Sequence, residues 1–240
     1  MARLDTGGST VWPRSRGQLE ELQRTLATRW AGEPPWRPAR DRALRVGAVF
    51  AAGRRGRVGA GEGDDSAWAA AVVLLEGRVA DSAVVRGRFD APYAPGLLAL
   101  REGGLLQEAV SGLGVEPDVV IADATGRDHP RGAGLVIHLG AACGLPTIGV
   151  TERPLLATGP EPGTERGAAA ELRLEGELVG YRLRTRAGAR PVIIHAGWRV
   201  GADTGCAVVL SATVNSRTPE PLRQARRLAR TARSTDSGLL

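Results

Sequence analysis

The sequence predicts an α/β fold, a mixed β-sheet flanked by helices, and three observations carry that prediction. Between residues 44 and 87 three apolar, β-branched segments follow one another with short polar connections, the pattern of an antiparallel meander. Beyond residue 96, helical periodicity alternates with short apolar runs such as Val119-Val120-Ile121-Ala122 and Thr147-Ile148-Gly149-Val150, which read as strands buried on both faces. The chain has 240 residues, 42% of them hydrophobic, enough for one sizeable core.

The elements follow in order. Residues 1–16 read as a flexible tail, and 17–31 as an amphipathic helix with Leu19, Leu22, Leu26 and Trp30 on one face. Glu33-Pro34-Pro35-Trp36-Arg37-Pro38 ends it, because proline cannot continue a helix. Strands are expected at 44–51, 67–75 and 79–87, the first two joined by a Gly/Arg-rich turn and the last two by Glu76-Gly77. Then come a helix at 96–113, a strand at 117–123, a helix at 134–143 and a strand at 147–150. A strand pair at 181–186 and 192–195, a helix at 202–211 and an arginine-rich helix at 221–233 complete a single domain over 17–233, with a tail at 234–240.

Charge narrows the chemistry. The 32 basic residues outnumber 26 acidic ones for a net +6, and all 32 are arginine. A chain without lysine has no Schiff base, no P-loop lysine and no lysine general base. Residues 1–45 hold nine arginines against five acids, residues 215–240 hold six against two, and the middle is slightly acidic. Basic ends suit a nucleic-acid partner through phosphate pairing, although GC-rich coding alone also enriches arginine. Cys143 and Cys206 lack metal-ligand spacing and read as buried thiols. No apolar run reaches the roughly 20 residues that span a bilayer, and the N-terminus has no apolar signal region, so a soluble cytoplasmic protein is expected, its oligomeric state open with a monomer favoured.

Two carboxylates stand where metal-dependent phosphodiester chemistry would want them. Glu102 follows an apolar helix start, and Asp123 ends a buried strand, a position as often a helix cap or surface group as a ligand. Around them run longer patterns. Pro92-Tyr93-Ala94-Pro95-Gly96-Leu97 to Arg101-Glu102 resembles the PYxPGxLxxRE motif of the endonuclease V family. Residues Pro117 to Ile121, Asp123, Gly126, His129-Pro130-Arg131, Gly134, His138-Leu139-Gly140 and Pro146 to Val150 follow further family motifs in order, as do Gly197, Arg199, Val200 and Arg217 to Arg223.

That resemblance implies an RNase H-like fold and a nuclease that uses Mg²⁺ to cut DNA or RNA 3′ to (deoxy)inosine in repair. It implies that Glu102 and Asp123 are catalytic metal ligands, that Tyr93 is the wedge filling the gap left by a flipped base, and that Gly126 lets the backbone approach that base. His129, Arg131 and His138 join the expected nucleic-acid or base-binding set. The chain also departs from the family. Val49 falls where a metal-binding Asp belongs, Glu152 where a lysine belongs, Trp198 where the His of GHRxS belongs, and Thr125 at the His of a DGHG segment. Asp64 and Asp65 are too far along the chain to replace the missing carboxylate, and Arg153 carries charge but cannot shuttle protons. Losing several stabilisers of one transition state predicts weak or absent cleavage. The alternatives are an active deoxyinosine endonuclease with a rebuilt site, or a repurposed enzyme in which Glu102, Asp123, His129 and Glu152 handle a nucleotide or small molecule.

Overall fold

A computed structural model describes residues 12–54 and 60–237. Of the tails expected at 1–16 and 234–240, residues 1–11 and 238–240 lie outside the described residues, as does the middle of the Gly/Arg-rich turn, 55–59, while Trp12 stacks on His138 and Ser15 caps the first helix. In chain order the elements are α1 (Arg16–Gly32), β1 (Val46–Gly53), β2 (Ser66–Leu75), β3 (Arg78–Arg88), α2 (Leu98–Ser111), β4 (Val119–Ala122), α3 (Leu135–Cys143), β5 (Thr147–Thr151), β6 (Ala169–Leu174), β7 (Glu177–Leu183), β8 (Val192–Ala196), α4 (Ala202–Ser211) and α5 (Glu220–Ser237). The strands form one mixed sheet in the order β3-β2-β1-β4-β5-β8-β7-β6. Strands β1, β4 and β5 run parallel at its centre, and antiparallel pairs extend it on both sides.

Both faces of the central strands are covered, which is why they read as continuous apolar runs. Alternation along β4 sends Val120 and Ala122 to the face shared with Leu105, Leu106, Leu135 and Leu139 of α2 and α3. Val119 and Ile121 go to the opposite face, with Val208 of α4 and Leu222 and Ala225 of α5. Helix α1 starts at Ser15, whose hydroxyl accepts from the Gln18 N–H. It lays Leu19 on the α2/α3 side and Leu26 against Ile137.

The expected meander is present, closed by a two-residue turn in which Glu76 and Gly77 both take positive φ, the geometry of tight hairpins. A second hairpin of the same kind, β6–β7, turns on Glu175-Gly176 with the same signs of φ. The sequence reading has no strand at 169–174, because Ala-Ala-Glu-Leu-Arg-Leu is poor in β-branched residues, and it starts β7 four residues late at 181. The repeated Glu-Gly turn is the signal it passed over. At the C-terminus, α5 continues through 234–237, which the sequence places in a tail. Asp236 accepts from the Trp68 indole N–H and pairs with Arg86, which anchors that last turn. No helix among the described residues is long and apolar enough to cross a membrane.

Candidate functional site

The carboxyl ends of β4 and β5, beside β1, border a cleft of about 400 Å³ closed on one side by α2, the place where α/β sheets tend to bind ligands. Glu102 of α2 and Asp123 at the end of β4 both line it. Burial, and then the neighbouring Asp123 charge, push the Glu102 carboxyl up to about 8 against the opposing pull of Arg101. Glu102 is therefore mostly protonated at neutral pH. Asp123 does not face the cleft alone, because Arg226 of α5 donates to its Oδ2 at 2.6 Å. The floor between them is Val49 of β1, fully buried. Among the described residues no three His, Cys, Asp or Glu side chains converge in a way that could hold a metal.

The loop that presents Tyr93 is held firmly. Arg101 donates to the Ala91 carbonyl at 2.6 Å and lies over the Phe89 ring, so the arginine of the Arg101-Glu102 pair is a loop clamp. The Gly96 carbonyl receives Gln23 Nε2, Arg131 Nη2 and His129 Nε2 at 3.0–3.2 Å. The Arg131 N–H donates to His129 Nδ1, which leaves Nε2 as the protonated nitrogen, and burial lowers the imidazole to about 4, so His129 is neutral. Tyr93 stands at the rim, 50% exposed.

The opposite wall is a loop, 152–157, of which the sequence singles out only Glu152 and Arg153. The buried Asp128 carboxylate accepts the N–H groups of Leu155, Leu156 and Ala157 at 2.7–2.8 Å. This fixes Arg153, Pro154 and Leu155 along the cleft. His195, fully buried and lowered to about 4 mainly by that burial, meets the Thr151 hydroxyl at 2.8 Å through Nε2, and its Nδ1 lies 3.7 Å from Asp128, beyond hydrogen-bonding range. Glu152 points away from the cleft toward Arg217, 3.4 Å distant, and Arg153 faces in. The reversal at 152 thus removes less positive charge from the cleft than the sequence suggests.

Glu102, Asp123, Tyr93 and His129 are brought together, and Thr125 with them. Three expected members stand elsewhere. Arg131 is spent on Gln23, Gly96 and Glu20, tying α1 to the Tyr93 loop. His138 is a core residue of α3, stacked on Trp12 at 4.0 Å between ring centroids, with neither ring nitrogen hydrogen-bonded among the described residues and its imidazole lowered to about 3 by burial. Gly126 is not on the cleft wall, and a Cβ there would lie 1.9 Å from the Ala196 carbonyl oxygen. Its glycine is required for packing against β8. Trp198, too, is buried with Leu26, Ala133 and Ile137 rather than in the cleft. Asp64 pairs with Arg88, and Asp65 accepts from the Glu62 N–H.

The sequence model of the Endonuclease V family matches residues 57–227. An Endonuclease V of Roseiflexus sp. is 36% identical over 94% of this chain and 97% of its own length. The crystal structure of Endonuclease V from Streptomyces avermitilis superposes with a TM-score of 0.82 at 36% identity, over 94% of this chain and 96% of that one. Endonuclease V of Ciona intestinalis, solved in complex with a 24-mer DNA containing an inosine, shares the fold at a TM-score of 0.72 and 18% identity, over 91% of this chain and 99% of that one. The mixed α/β architecture expected from sequence is that of these structures, and the chain belongs to the Endonuclease V family.

Proposed function

We propose that this chain is a nucleic-acid-binding Endonuclease V that receives inosine-containing strands in its cleft and cuts them weakly or not at all. The carrying observation is the cleft floor. Where the family resemblance puts a metal-binding carboxylate, the apolar Val49 is fully buried. The remaining donors fit Mg²⁺ poorly, since that ion needs several hard, ionised oxygens in octahedral array. Only two carboxylates, Glu102 and Asp123, line the cleft among the described residues, and one oxygen of Asp123 is taken by Arg226.

What the residues can do is bind. Tyr93 offers an exposed ring at the rim, suited to stacking on a base or filling the space that an extruded base leaves, an interaction worth about 1–3 kcal/mol. Thr125 supplies a polar edge inside, and Arg153 supplies charge for a phosphate. The Ciona complex shows an Endonuclease V holding inosine-containing DNA, which supports the same partner for this cleft.

The test is a pair of assays on inosine-containing single and double strands, one for nicking in Mg²⁺ and Mn²⁺ and one for binding. Salt-sensitive binding weakened by Tyr93→Ala, without nicking, is the expected result. Metal-dependent nicking that vanishes in Asp123→Ala would overturn the loss of catalysis.

A further inference from the structure

A strand entering this cleft brings a phosphodiester up to Asp123, and two anions at close range repel unless a cation stands between them. The chain already carries one there. Arg226 has a guanidinium nitrogen 2.6 Å from Asp123 Oδ2, and its side chain is still 24% exposed. A guanidinium has five N–H donors, so one bond to Asp123 leaves others for a phosphate oxygen. We infer that Arg226 is a resident cation, taking over from a divalent metal the neutralising of Asp123 and the gripping of the strand's phosphate, so that the cleft binds nucleic acid without a metal ion. This rests on the strand-binding role proposed above.

The surroundings of Arg226 extend the same grip. On α5 its neighbours at three- and four-residue spacing are Arg223 and Arg230, with Arg227 alongside, so the arginines fall on one stripe. They border a groove of about 540 Å³ with Thr231. Phe50, which lines the cleft, lies under both Arg226 and Arg230 of the groove, with guanidinium carbons 5.6 and 5.8 Å from the ring centroid. Arg227 is exposed and has no hydrogen-bond or ion-pair partner among the described residues. An arginine row of this kind matches a run of phosphates, because guanidinium pairs with phosphate through parallel N–H donors. As a stabilising device alone, a partly exposed pair such as Arg226–Asp123, at 24% and 33%, is worth little.

Fluorescence anisotropy with a labelled single strand carrying one deoxyinosine, in EDTA and in Mg²⁺ at matched ionic strength, tests this. The unaltered protein is expected to bind equally well in both. Arg226→Ala should weaken binding in EDTA by about tenfold to a hundredfold, the loss of a hydrogen bond to a charged group. Mg²⁺ should restore part of that loss, since Asp123 is then free to hold a cation, and Arg226→Lys, which keeps the charge but not the fork of donors, should fall between Arg226→Ala and the parent. Arg227→Ala, a change at an exposed side chain that leaves the Asp123 pair intact, should lower the salt slope by about 0.7 without creating a need for Mg²⁺. Binding by the unaltered protein that disappears in EDTA, or an Arg226→Ala protein that binds as tightly as its parent in EDTA, would overturn the inference and leave the strand-binding role standing. No binding of any strand by the unaltered protein would remove the role itself and the inference with it.

Discussion

Glu102 is the side chain at which the cleft's chemistry has shifted furthest. Its carboxyl is raised from 4.5 to about 8 by burial and by Asp123. Between those values the folded state holds a proton that the unfolded chain releases, so stability falls as pH climbs through the window and levels off above it. Glu102→Gln, which cannot ionise, should therefore gain thermal stability over the parent on going from about pH 5 to about pH 9. Equal offsets between the two proteins in melts at both pH values would show that Glu102 ionises freely in the fold. Residues of this kind were readable in the sequence because motif, residue type and position at an element's start or end coincide, as at Glu102, Asp123, Tyr93 and His129. His138, Arg131 and Gly126 belong to the same motifs, yet they brace the scaffold around Trp12, Gly96 and Ala196. A linear motif does not distinguish the wall of a cleft from its foundations.

At the scale of elements, the wall facing α2 depends on one buried side chain. Asp128 gathers three consecutive N–H groups of the loop after β5, and those bonds set where Arg153 lies. Asp128→Ala should cost about 3 kcal/mol or more, with a melting temperature lowered by roughly 10 °C, because buried donors are left without an acceptor. Limited proteolysis should then cut within 152–157, and Asp128→Asn, which keeps one acceptor, should suffer less. An unchanged melting temperature would mean that the loop holds itself. The sequence gives no warning of this arrangement. Asp128 lies 27 to 29 positions from its partners, and its role exists only once β4, β5 and β8 are side by side. The strands themselves were legible, since apolar runs and glycine turns are local signals, and the one that escaped, β6, is an edge strand with alternating burial and weak β-forming residues.

For the whole molecule, the two basic ends lie on opposite faces of the sheet and both reach the cleft, α1 through Gln23 and α5 through Arg226. Their charges are not equivalent. On α1, Arg16 and Arg29 are neutralised by Glu20 and Glu33 one turn away, whereas on α5 Arg227 and Arg230 are unpaired by any acid among the described residues. If Arg153, Arg226, Arg227 and Arg230 each meet a phosphate, the affinity for a single strand should fall with a log–log salt slope of about −3. Arg24→Ala on α1 should leave that slope unchanged, and a fall equal to that caused by Arg227→Ala would move the contact surface to the other face. Arg226 meets Asp123 across 103 positions of sequence. During synthesis every strand of the sheet is made before the helix that carries this arginine. A chain stopped short of residue 226 would therefore expose Asp123 bare beside Glu102, and only completion of the last helix settles the charge of the cleft.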